Sequence, residues 1–261
     1  MEPPVAVTTT HQASEGAVRA ARRIAERYGW PYLPREGRPL LREELGGRKG
    51  WIVVGEREAR FTAADGSSFA FHPGLAVVRI KRLLAGCPDP LVKVAGLGRG
   101  DCLLDCTLGL AQDAIVAAYA VGEEGRVRGV EAVPEVAAVV EAGLQVYQYP
   151  ETAVVAAMRR VEVVPAAHEA YLASLASGSW DVVYFDPMFR RAVADADGIT
   201  ALRRLALPLP VSRQAVAEAR RIARRRVVLK ERRESSEFAR LGFTVVWQGR
   251  RVALGIIETS Y

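Results

Sequence analysis

The sequence predicts an α/β fold: a doubly wound, mostly parallel seven-stranded sheet ending in an antiparallel hairpin, preceded by a small α+β domain. Three observations carry this reading. From Cys102 onward, apolar strand-like runs alternate with helical stretches, the order in which crossover helices link parallel strands. The last two β-rich runs, "FTVVWQG" and "VALGIIETS", are joined only by Gly249, Arg250 and Arg251, too short for a crossover helix, so they pair antiparallel. The amino-terminal part instead sets short strands between Gly- and Pro-rich turns.

Taken in order, "VAVTTT" reads as a strand, and Ser14 caps a helix running through Arg27 with Val18, Ala21, Ile24 and Ala25 at helical spacing. "WIVVG", "ARFTA" and "SSFAF" form a small antiparallel set. A bridging helix follows in "HPGLAVVRIKRLLAG", with Leu75, Val78 and Leu83 on one face; the boundary is placed so that residues 1–88 form the small domain and 89–261 the large one. The large domain then reads as strand "CLLDCT", helix Ala111 to Val121, strand "RVRGVEA", helix Pro134 to Tyr147, strand "VEVVPA", a helix through "YLASLA", strand "WDVVYFD", helix "SRQAVAEARRIA" and strand "RRVVLKE" before the terminal hairpin.

Thirty-six lysines and arginines against thirty Asp and Glu leave a net charge of +6. The cations are mostly arginine, in runs such as Arg220-Arg221, Arg224-Arg225-Arg226, Arg232-Arg233 and Arg250-Arg251, which suit phosphate oxygens because the guanidinium fork binds them bidentately. The longest apolar run, Ala114 to Val121, is too short to cross a bilayer, and the start lacks the basic and apolar regions of an export signal, so a cytoplasmic protein is expected. Cys87, Cys102 and Cys106 form no C-x-x-C, and His11, His72 and His168 are scattered, so neither a disulfide framework nor a metal site is expected.

Open α/β sheets bind ligands beyond the carboxyl ends of their strands, so function is sought there. The first strand of the large domain ends in "DCTLGLAQD", where Asp105 closes the strand, Thr107 and Gly109 form the turn, and Asp113 opens the next helix. Glu131 ends the second strand, placed for a ribose to share its hydroxyl hydrogens with the carboxylate. Dinucleotide binding calls for a G-x-G-x-x-G turn and would set a pyrophosphate against Asp113, so the expected ligand is less anionic. S-adenosylmethionine, cationic at its sulfur and amino group, complements Asp105, Asp113 and Glu131. At the third strand end, Ala167 and His168 are the remaining candidates for the cofactor pocket.

The fourth strand ends in "DPMF", the form of an acid-Pro-x-aromatic loop suited to amine methylation. Asp186 and the carbonyl of Pro187 can accept the two hydrogens of an exocyclic amine while Phe189 stacks on the ring that bears it. Arg190 and Arg191 follow directly and, with Lys230 at the end of the fifth strand, are assigned to nucleic acid.

Together "DCTLGLAQDA", "EAVPEVAAVVEAGL", "VVYFDPMF" and "RRVVLKE" resemble the ribosomal small-subunit RNA guanine-N2 methyltransferase J family, over about Cys102 to Lys230. That resemblance implies a Rossmann-like class I methyltransferase using S-adenosylmethionine on a guanine amine of ribosomal RNA. It further implies a cofactor loop at Asp105, Gly109 and Asp113, a ribose acid at Glu131 and a catalytic loop at Asp186 to Phe189. The sequence departs from the family at Ala111-Gln112, where Gly-Arg is usual, and in the segment before the bridging helix. Two alternatives stay open: an N-methyltransferase of a protein or small molecule, and a non-catalytic RNA-binding assembly factor. The oligomeric state is not legible.

Overall fold

The structure, a computed structural model, describes residues 4–35, 47–187 and 210–259. Contacts divide these residues into two compact units: those of Met1–His72 and Val133–Pro150 form one, and those of Pro73–Ala132, Glu151–Val193 and Pro208–Tyr261 the other.

In the first unit, strands β1 (Val5–Thr9), β2 (Gly50–Val54), β3 (Ala59–Ala63) and β4 (Ser68–Ala70) form one sheet in chain order. The hairpin pairs β2–β3 and β3–β4 are antiparallel, whereas β1 joins β2 in parallel through a long connection that holds helix α1 (Glu15–Tyr28). Ser14 caps α1 by accepting the Ala17 amide at 3.4 Å, and Gly29 ends it in the left-handed region at φ 64°. The buried stripe is Ala17, Ala20, Ala21, Ile24 and Ala25, so Val18 lies off the face that the spacing assigns to it. Helix α5 (Pro134–Val146) belongs to this unit, where Glu141 receives Arg27 at 2.7 Å and Tyr28 at 3.1 Å. Its Gly143 lies so close to Phe71 that a methyl group there would come within 2.2 Å of the ring.

The second unit holds a seven-stranded sheet in the order β10-β11-β9-β8-β5-β6-β7. Its strands are β5 (Cys102–Asp105), β6 (Arg126–Glu131), β7 (Val161–Pro165), β8 (Trp180–Phe185), β9 (Ala223–Arg232), β10 (Thr244–Gln248) and β11 (Val252–Glu258). All neighbours pair in parallel except β10–β11 and β11–β9, as expected from the short terminal connection. From β5 the chain winds outward through β6 and β7, then returns to place β8 on the other side of β5. The strand order therefore reverses at β5, and the crevice above it is where such sheets bind ligands. Helices α4 (Gln112–Val121), α7 (His168–Ala173) and α8 (Arg213–Ile222) accompany the strands. Val182, Val183, Tyr184 and Phe185 are all fully buried, the continuous apolar pattern of a strand covered on both faces.

The bridging helix α2 (Leu75–Leu84) corrects one expectation: it buries Ala76, Val77 and Ile80, while Leu75 and Val78 are 66% and 53% exposed. Both sets satisfy helical spacing, and only the tertiary partner selects between them. Three short helices were also not anticipated: α3 (Pro90–Ala95), α6 (Thr152–Arg159) and α9 (Glu237–Leu241). They are too short to display a period, although α3 carries a readable start, with Asp89 accepting the amides of Leu91 and Val92 and Pro90 in the first turn.

Candidate active site

The carboxyl ends of β5, β8 and β9 bring Asp105, Asp186 and Lys230 together with Asp113 at the start of α4. Lys230 is the centre of this group. Its Nζ donates to Asp113 Oδ2 at 2.7 Å and to Asp186 Oδ2 at 2.8 Å. Tyr184 Oη donates to the same Asp113 oxygen at 2.7 Å, and Arg79 of α2 pairs with the other. Arg79 in turn grips Asp89 with two bonds, at 2.7 and 2.8 Å, so the cap of α3 is tied to the site. Thr107 joins the two loops: its amide donates to Asp105 Oδ1 at 3.0 Å, and its hydroxyl accepts the Asp186 amide at 2.6 Å.

These neighbours decide the ionisation of each acid. Burial pushes the Asp105 carboxyl up to about 8; the Thr107 amide opposes this, and the Asp113 and Asp186 charges add to it. Burial also raises Asp186, to about 7, against the pull of Lys230. Asp113 is buried too, yet Lys230 and Arg79 outweigh burial and hold it well below the ordinary carboxylate range. The same exchange raises the Lys230 ammonium above its usual value despite burial. The site therefore contains one firmly charged anion, Asp113, and two carboxyls, Asp105 and Asp186, that titrate near neutrality.

Glu131, at the end of β6, accepts the Gly109 amide at 3.0 Å, which closes the β5 turn over it. Gly109 has φ 49°, a left-handed conformation that glycine adopts without strain. Ala111 shares that region at φ 62°, at the position where the resembled family has glycine. Ala167 is exposed at the cap of α7, and His168 stands beside Phe185 with ring centres 5.8 Å apart. Burial lowers the His168 pKa, and its Nε2 is buried without a hydrogen-bond partner among the described residues. Pro187 follows Asp186 at the end of β8; Phe189, Arg190 and Arg191 lie outside the described residues. Lys230, assigned from sequence to nucleic acid, is engaged by the two carboxylates. Arg79, Asp89 and Tyr184 were missed. The sequence signals were an arginine among the apolar residues of the bridging helix, the Asp89-Pro90 helix start, and a phenol in the apolar run that ends β8.

A cavity of about 200 Å³ adjoins this group. Arg79, Asp89, Asp113 and Lys230 are among its polar lining, and Pro88, Pro90, Trp247, Val252 and Leu254 among its apolar one. Among the described residues no cluster of side chains suits a metal ion, and no helix is long and apolar enough to cross a membrane.

A sheet in this order, with acids at the ends of its central strands and an antiparallel final pair, defines a class I methyltransferase fold. Residues 69–252 match the family described as "Putative SAM-dependent methyltransferase", and the chain belongs to that family. It is 38% identical over 257 residues to the Bacillus subtilis protein YpiP, covering 97% of this chain and 99% of that one. The crystal structure of the SAM-dependent methyltransferase NGO1261 from Neisseria gonorrhoeae shares the fold, with a TM-score of 0.61 at 18% identity over 97% of this chain and 95% of that one.

S-adenosylmethionine is thus the cofactor, and the residues present fit it. Burial first, and the neighbouring Asp113 and Asp186 charges after it, drive Asp105 toward protonation, and a cationic ligand offsets the part that comes from negative charge. The buried, unpartnered Nε2 of His168 is a polar atom that a purine could meet. Glu131, at a strand end, and the Gly109 turn that closes over it would meet a ribose hydroxyl pair and let the backbone approach closely.

Proposed function

We propose that the enzyme methylates an exocyclic amine, the N2 of a guanine in small-subunit ribosomal RNA. The observation that carries this reading is the fixation of Asp186: Lys230 holds its carboxylate and Thr107 holds its amide, at the end of the strand that leads into "DPMF". When bound, S-adenosylmethionine supplies a methyl carbon made electrophilic by the sulfonium. A base amine is a weak nucleophile because its lone pair is delocalised into the ring. Asp186 and the Pro187 carbonyl accept the two amine hydrogens and so orient the lone pair. These bonds strengthen as positive charge develops on nitrogen, which is the condition for lowering a barrier. With its carboxyl at about 7, Asp186 can then take the surplus proton at neutral pH. Asp113 contributes indirectly, by anchoring Lys230.

The protein or small-molecule reading has one observation in its favour. Arg224, Arg225 and Arg226, at the amino end of β9 and away from the site, are engaged by the protein itself: Arg224 by the Gly178 carbonyl and Asp181, Arg225 by the Gly96 carbonyl and Asp101, Arg226 by the Val94 carbonyl and Glu258. The test is transfer of labelled methyl to unmodified small-subunit RNA by the wild type and Asp186→Ala, with cofactor binding followed by calorimetry. The variant should keep cofactor affinity and lose at least about a hundredfold in rate. Undiminished turnover would remove Asp186 from the mechanism, and label found only in protein or small molecules would support the second reading.

A further inference from the structure

The arginines divide by strand direction. Those that open β9 are engaged internally, whereas Arg232, Arg233, Arg250 and Arg251 all lie exposed at the opposite, site-bearing end of the sheet. The register places them together. Trp247, Leu254 and Lys230 form one rung across β10, β11 and β9 and line the cavity described above. Two residues farther along, roughly 7 Å at strand rise, Val252 faces Arg232, and the Arg233 amide donates to the Arg251 carbonyl at 3.0 Å. Arg82, exposed on α2, reaches the same cavity. Arg79 and Arg82 thus line the pocket with an indole, two prolines, aliphatic side chains and the acids Asp89 and Asp113, both paired with Arg79, while the strand register sets Arg232, Arg233, Arg250 and Arg251 at the next turn beyond it.

Resting on the RNA reading above, we infer that this pocket is a nucleotide site. Its apolar walls, Trp247 foremost, hold a base beside Lys230 and Asp113, while Arg232, Arg233, Arg250 and Arg251 hold the phosphates of the same single strand. The pairing of an aromatic platform with a cationic track is what single-stranded nucleic acid requires. The terminal hairpin, rather than the longer Arg224–Arg226 run, is then the phosphate-binding element.

The test measures binding of a labelled single-stranded RNA 20-mer of mixed sequence across a salt series. Arg250→Gln with Arg251→Gln should make the log-log salt slope shallower by about 1.4, since each lost phosphate contact on a single strand removes about 0.7. Arg99→Gln with Arg220→Gln, exposed arginines outside the site-bearing edge, is the charge-matched control and should leave the slope unchanged. Trp247→Ala should weaken binding roughly tenfold or more without changing the slope, and Trp247→Phe should recover most of the loss. Equal slopes for the hairpin and control pairs would overturn the site while leaving RNA as the substrate. Absence of salt-dependent RNA binding by the wild type would overturn both. Polyglutamate binding as tight as RNA would assign the rim to an acidic protein and overturn the nucleotide site.

Discussion

Replacing Lys230 by Met keeps much of the side chain's volume and removes its charge. Two bonds disappear, at 2.7 Å to Asp113 and 2.8 Å to Asp186. Asp113 keeps Arg79 and Tyr184, so most of the loss falls on Asp186. Removing one partner of a buried pair costs about 3–5 kcal/mol. Here the lysine side chain is 25% exposed and Asp186 can relax by binding a proton, so about 2–3 kcal/mol is expected at pH 6, or roughly 5–10 °C in Tm. The cost should depend on pH. In the wild type the Asp186 carboxyl sits at about 7 when folded against 3.8 as its ordinary value, so folded protein holds the proton longer and stability falls as pH rises between the two. Without Lys230 the folded value moves higher, and the fall continues past pH 7 at up to about 1.4 kcal/mol per pH unit. Urea denaturation at pH 6 and pH 8.5 should therefore show a larger deficit at the higher pH, and the acid limb of the methyl-transfer profile should move to higher pH. A deficit equal at both pH values, with an unmoved profile, would refute the clamp.

Three further outcomes follow from the same geometry. Asp105→Asn removes a buried carboxyl raised to about 8, whose cost to the folded state grows as pH climbs from about 4 to about 8; the variant's stability relative to wild type should rise across that window and level off above it, and parallel urea midpoints at pH 5 and pH 8 would contradict the assignment. Gly129→Ala places a methyl group within 2.2 Å of Leu108, which is buried in the cofactor loop, so it should cost about 1–3 kcal/mol in denaturation and weaken S-adenosylmethionine binding measured by calorimetry. At Ala111, φ 62° and full burial make Val unfavourable by more than about 2 kcal/mol, while Gly should stay within about 1 kcal/mol of wild type because relief of backbone strain offsets the lost methyl and the looser unfolded chain; midpoints from thermal melts separate the two.

Much of this protein could be read before folding. The alternation of segments from Cys102, the three-residue link before "VALGIIETS" and the acids closing successive strands were enough for the sheet, its antiparallel end and S-adenosylmethionine as the cofactor, because strand period, loop length and strand-end chemistry are local properties. Even Ala111, where the resembled family has glycine, could be noticed locally; that it adopts a left-handed conformation could not. Short helices such as α3 escaped because six residues show no period, and the buried face of α2 was misassigned because two stripes of one helix satisfied the same spacing. Tertiary structure alone decided what the acids do. Asp105, Asp113 and Asp186 are the same chemical group, and their proton affinities diverge because Lys230, Arg79 and Tyr184, remote in sequence, converge on Asp113, whereas Asp186 sets the pull of Lys230 against burial and the Asp113 charge. Position along the chain can name a carboxylate; burial and neighbouring charge, which exist only after folding, determine whether it carries a proton.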